Sequence, residues 1–167
     1  MTFELAAGRN NLPIFSKTSS FTRLAGGNND PYQALKNQSR GIDELALHPA
    51  RVSLDKLLLL DEDWDGFGSL RPDPYAIKKA FSLIGDIYRS ALETRLPWVQ
   101  PHITSSEEGE VVFEWWSGFH KLTLYISSNG SCEFVQVWGP DMHSQMRHGT
   151  LAGEQFQGLW RWLLSLV

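Results

Sequence analysis

Residues 110–138 read EVVFEWWSGFHKLTLYISSNGSCEFVQVW. Three segments rich in Val, Trp, Phe and Tyr, namely Glu110–Trp116, Lys121–Ser127 and Cys132–Trp138, alternate with turn residues, which predicts an antiparallel meander. Ser128-Asn129-Gly130-Ser131 is a hairpin signal, because Asn and Gly tolerate the positive φ that two-residue loops require. An Asn129-Gly130 loop sets Leu124 opposite Val135 and Leu122 opposite Val137. For the first hairpin, a four-residue loop from Ser117 to His120 places Val111, Phe113 and Trp115 on one side with Leu122, Leu124 and Ile126. A slip of one residue would bring Glu114 to that side, so the apolar pattern selects the register.

Helical signals flank the strands. Asp73 reads as an N-cap and Pro74 as the first helical position. Ile77, Phe81, Ile84, Tyr88 and Leu92 then recur at helical steps to about Arg95, and Pro97 and Pro101 close the helix. Ser53–Leu60 predicts a short helix capped by Ser53, and Phe156, Leu159, Trp160, Leu163 and Val167 form the stripe of a final one. GPDMHSQMRHG, residues 139–149, reads as a loop. The expected fold is α+β: a three-stranded antiparallel sheet packed on two helices, in the order α-α-β-β-β-α, with an extended N-terminal arm. Residues 1–50 are the arm, polar and partly irregular, with a short helix starting at Asp30-Pro31; residues 51–167 are a single α+β domain.

The composition is that of a globular protein, with 42% hydrophobic and 20% charged residues. A net charge of −4 and the lack of any run of five like charges argue against direct nucleic-acid binding. One cysteine, Cys132, excludes an internal disulfide and fits a reducing cytoplasm. The start, MTFELAAGRNN, lacks the basic and apolar regions of a secretory signal, and no apolar run reaches membrane-spanning length. These features predict a soluble, cytoplasmic protein.

The side of the sheet turned away from the helices carries, in the expected registers, Val112, Glu114, Trp116, Thr123, Tyr125, Phe134, Gln136 and Trp138. A solvated sheet face alternates to polar residues, and this one stays aromatic. Seven tryptophans in the chain, five of them after Glu110, strengthen the contrast. Two readings stand for this face, cover by the arm and contact with a partner; for a partner surface the anchors are Trp116, Tyr125, Phe134 and Trp138, with Glu114 and Gln136 between them.

Residues 60–74, LDEDWDGFGSLRPDP, open like a calcium loop. Asp61, Asp63 and Asp65 stand at alternate positions before Gly66, but the position of the bidentate acid is Pro72. The reading preferred here is a structural turn: Asp65-Gly66 and Gly68 make the bends, Trp64 and Phe67 plug the domain, and Asp73 caps the next helix. The combination of WDGFG, a following proline, an amphipathic helix, Glu-Trp on the first strand and Asn-Gly in a hairpin resembles a set of small bacterial and phage proteins with a W-D-G-[YF]-G…P signature. The resemblance covers Asp61 to the C-terminus. It implies a bacterial or phage origin and an α+β fold, and it implies no activity.

Other chemistry has less behind it. Asp141, His143 and His148 lack the Cys or HExxH partners of a zinc site. Cys132 and His120 sit at distant ends of neighbouring strands, too far apart for a nucleophile–base pair. Glu107, Glu108 and Glu110 read as a solvated acidic turn. The expectation is therefore a non-catalytic protein with no cofactor that binds another protein or a protein complex. By analogy with small proteins of this type among mobile-element genes, it is expected to act as an inhibitor or neutraliser of a larger bacterial partner, of antitoxin, immunity or anti-CRISPR type, using the aromatic sheet face, the N-terminal arm, or both. The alternatives are a metal-regulated protein or small enzyme acting through Asp61, Asp63 and Asp65, and a structural oligomer.

Overall fold

The structure, a computed structural model, describes residues 31–141, 144–152 and 155–165, with side chains from residue 43 onward. The expected arm over residues 1–30, His143 and Val167 lie outside the described residues.

Helix α1, Pro31–Leu57, starts at the proline expected to start a helix and then runs on. The division expected at residue 50 and the expected start at Ser53 both fall inside it, and it ends at Leu57, before the expected end at Leu60. Leu47, Ala50, Leu54 and Leu57 recur at three- and four-residue steps and all are buried. That stripe carries the helix through Pro49, although an interior proline costs about 3 kcal/mol. Helix α2, Pro74–Glu93, begins as expected: the Asp73 carboxylate accepts from Tyr75 N–H at 2.7 Å and Ala76 N–H at 3.1 Å. Arg95, at φ 56°, turns the chain out of it. No helix among the described residues is long and apolar enough to cross a membrane.

The sheet has five strands, not three: β1 His102–Ser105, β2 Val111–Ser117, β3 His120–Ile126, β4 Cys132–Val137 and β5 Met146–Thr150. All neighbours are antiparallel and the order is β1-β2-β3-β4-β5. Both unexpected strands are edges. Helix α3, Gln155–Leu163, buries Phe156, Leu159, Trp160 and Leu163.

The β2–β3 register is the expected one, with Phe113 opposite Leu124 and Trp115 opposite Leu122. The strands run on to Ser117 and His120, leaving Gly118 and Phe119 as the turn. The β3–β4 register differs by one residue: Leu124 faces Phe134 and Leu122 faces Gln136. The cause is loop length. Ser127 N–H donates to Ser131 O at 3.1 Å, Gly130 N–H donates to Ser127 O at 2.9 Å, and Gly130 has φ 81°. The loop is thus the three residues Ser128–Gly130, with the glycine left-handed at its end. A one-residue change moves every β4 side chain to the other face.

Helices α1, α2 and α3 pack over β1, β2 and β3. At the centre, Trp115 and Trp160 meet edge to face at 5.5 Å, with Phe156 and Phe113 against them. Both indoles are fully buried, and each N–H has a partner in the α2–β1 linker: Trp115 Nε1 donates to Val99 O at 3.0 Å and Trp160 Nε1 donates to Pro97 O at 3.2 Å. Trp98 lies between, 5.9 Å from Trp160 and 5.2 Å from Tyr88, and its own N–H is buried without a partner among the described residues.

Trp115→Phe keeps most of the ring volume and leaves the Val99 carbonyl without its donor. The expected loss is about 2 kcal/mol, from a partly buried unpaired acceptor plus a small cavity. It is read as a lower urea midpoint at unchanged slope. A midpoint equal to that of the parent would show that the indole bond adds nothing.

Candidate functional site

The register correction divides the six expected partner-binding residues between two surfaces. Glu114, Trp116 and Tyr125 remain on the face turned away from the helices. Phe134, Gln136 and Trp138 turn to the helix side.

The open face is built from rows that cross the sheet. One row is His102, Glu114, Thr123, Val135 and His148; beside it lie Trp116, Lys121, Val137 and Met146; on the other flank lie Thr104, Val112, Tyr125, Glu133 and Thr150. Val112 and Thr123 are buried within this face, and none of these residues joins the core cluster packed against the helices. Glu114 ties the rows together: Lys121 Nζ stands 2.5 Å from one carboxylate oxygen and His102 Nδ1 3.7 Å from the other. The Lys121 ammonium also lies 5.2 Å over the Trp116 ring, and the His102 ring is 6.1 Å from it. Trp116 is 52% exposed and nevertheless braced on two sides.

The helix side carries a cleft. The helices cover β1 to β3, and β4 and β5 extend past them. Between those two strands and α3 lies a space of about 800 Å³. Its walls are Phe134, Gln136 and Trp138 from β4 and its end, Arg147 from β5, His120 from the start of β3, and Gln155, Gly158, Leu159 and Trp162 from α3. His120 stacks on Trp162 at 4.6 Å, with Nδ1 3.2 Å from Ser165 Oγ, and Trp138 meets Trp162 edge to face at 6.2 Å. Sequence reasoning missed Arg147, because its short, polar segment reads as loop. It missed Trp162 because that residue lies off the apolar stripe of α3. His120 drew notice only as a partner for Cys132, which faces Ile126. The six steps from His120 to Ile126 span about 20 Å of strand, so the two groups stay apart as expected.

The aspartate loop is a hydrogen-bonded turn. Asp63 has φ 59°, and its carboxylate accepts from Gly68 N–H at 2.7 Å. Asp65 accepts from Phe67 N–H at 2.9 Å and from Ser69 Oγ at 2.6 Å. Asp61 stands 4.0 Å from the Arg71 guanidinium. Trp64 donates to Leu70 O at 3.3 Å, but Phe67 plugs nothing, since it is 91% exposed. The loop is anchored instead by its main chain, through Leu70 N–H to Glu107 O and Asp73 N–H to Gly109 O. A Cβ on Gly109, which has φ 78°, would stand 2.7 Å from Arg71 O, so glycine is required there. Among the described residues no group of three or more His, Cys, Asp or Glu is disposed to hold a metal ion. Asp141 serves its own turn, accepting from Ser144 Oγ at 2.6 Å, and His148 lies on the open face opposite Val135. Burial pushes the Cys132 thiol up to about 12, so it is protonated at neutral pH and a poor nucleophile.

Compared with protein families, with characterised proteins and with solved structures, the chain matches none.

The Ser69 hydroxyl and the Phe67 amide hold the Asp65 carboxyl below its ordinary value. A folded-state pKa below the unfolded one adds stability above the ordinary Asp range, and that stability is lost as pH falls through the lowered value. Asp65→Asn is therefore expected to be less stable than the parent at neutral pH and to show a flatter acid limb. Urea unfolding from neutral pH to about pH 2 reads this directly. An acid limb identical to that of the parent would remove Asp65 as a contributor.

Proposed function

We propose that the protein is a non-catalytic binding protein that inhibits or neutralises a larger bacterial macromolecular partner, as antitoxins, immunity proteins and anti-CRISPR inhibitors do. The partner is a protein or protein complex, and it is held on the open face of the sheet. The observation that carries this reading is Trp116, half exposed on a face outside the core and braced by Lys121 and His102. Large aromatics dominate interface energy, and one already fixed in place loses little freedom when it binds. Glu114 and Lys121 beside it supply charges that set orientation. The net charge of −4 disfavours nucleic acid as the partner. Catalysis through Asp61, Asp63 and Asp65 is disfavoured because the carboxylates of Asp63 and Asp65 already accept the turn's own donors.

A photo-crosslinking amino acid at Tyr125 is expected to capture the partner, and the same group at Lys78, on the exposed side of α2, is expected not to. Trp116→Ala should then weaken the captured complex by at least about 30-fold, roughly 2 kcal/mol, with the melting temperature little changed. Equal capture from both positions, with affinity untouched by Trp116→Ala, would place the partner elsewhere. Capture of a second copy alone would make the chain a structural oligomer.

A further inference from the structure

The cleft on the helix side is a separate surface, and its chemistry is that of a small-molecule site. It joins an aromatic corner to polar groups that have no partner among the described residues. Gln136 is only 4% exposed, lines the cleft, and its carboxamide makes no hydrogen bond among the described residues. The small surface that Gln136 keeps includes its carboxamide, which is thus open to a ligand in the cleft. Arg147 is the cross-strand neighbour of Gln136, so both side chains rise from the same face of the sheet. The guanidinium lies over the Phe134 ring at 5.9 Å and pairs with no carboxylate among the described residues. Gly149 makes this arrangement possible: a Cβ there would stand 3.0 Å from the Phe134 ring. Across the cleft, Trp138 and Trp162 meet at 81°, which offers a ring one indole face and one indole edge.

We propose that this cleft binds a small planar aromatic carboxylate. One guanidinium matches one carboxylate, which it holds with two parallel N–H donors. The Gln136 amide sits beside it to complete the polar end. The indole corner takes the ring, and about 800 Å³ is ample for a bicyclic molecule. A phosphate dianion is a poorer fit, because the described lining offers a single guanidinium and no lysine.

The test uses the full chain and sodium 1-naphthoate in isothermal titration calorimetry, with 1-naphthamide and inorganic phosphate as controls. Naphthoate is expected to bind with a dissociation constant of about 1 mM or tighter, given ordinary ligand efficiencies. Naphthamide should bind at least about tenfold more weakly. Arg147→Gln should bring acid and amide to the same weak affinity, and since Arg147 is exposed the fold is preserved. Gly158→Leu provides a second, steric test: Gly158 lines the cleft and a Cβ on it meets nothing within 4 Å, so the helix tolerates a side chain that fills the space. This variant should melt no lower than the parent and lose naphthoate. No naphthoate binding, equal binding of acid and amide by the parent, or full binding by Arg147→Gln would overturn the proposal. Phosphate binding as tight as naphthoate would reduce the cleft to an anion site and overturn its aromatic part.

Discussion

Two indole N–H groups and the two carbonyls that receive them hold this molecule together. Trp115 lies on the central region of the sheet and Trp160 on the last helix, and both donate into the short linker between α2 and β1, at Val99 and Pro97. A buried indole without a partner carries a desolvation cost, so these bonds fix where the linker runs. The linker in turn sets the start of β1 and, through Gln100 Nε2 donating to Ala46 O, the position of α1. Sheet, helices and linker thus meet at one aromatic cluster. Trp98, in the same linker, is the exception, with no partner for its N–H among the described residues, and its ring is held by stacking on Trp160 and the edge contact with Tyr88.

The parts of the fold legible from sequence are those where one physical signal has no rival. Asp73-Pro74 caps α2 because cap and proline agree. The β2–β3 register follows because the alternative buries Glu114. The β3–β4 register has no such arbiter. Along β4, Cys132, Phe134 and Gln136 alternate with Glu133, Val135 and Val137, so each face is about as apolar as the other. The decision then passes to the turn, where Ser-Asn-Gly suits a two- or a three-residue loop. Choosing the shorter loop places Phe134, Gln136 and Trp138 on the wrong side of the sheet. The edge strands β1 and β5 are illegible for another reason: HITS and MRHGT are short and polar, and they become strands by pairing with neighbours rather than by propensity.

The candidate surfaces follow the same division. Trp116, Tyr125 and Glu114 are legible because they lie on strands whose register the core dictates. The cleft is not, because it depends on β5 and on Trp162, neither of which has a periodic signature. One sheet therefore offers two unlike surfaces. The open one is braced by a lysine, a histidine and a glutamate around a tryptophan. The recessed one combines an aromatic corner with an amide and a guanidinium that have no partner among the described residues.

Each strand of this sheet pairs only with its neighbour in the chain, and that connectivity bears on how the protein assembles. Every strand pairing closes a short loop, at small entropic cost, and the meander can grow outward from the β2–β3 hairpin one edge at a time. The bond from Trp160 to Pro97 is different, since it joins residues 63 apart. Its closure brings in α3, the element that walls the cleft. The recessed surface thus comes into being with the most non-local step of folding, whereas the open face is complete as soon as the strands have zipped together.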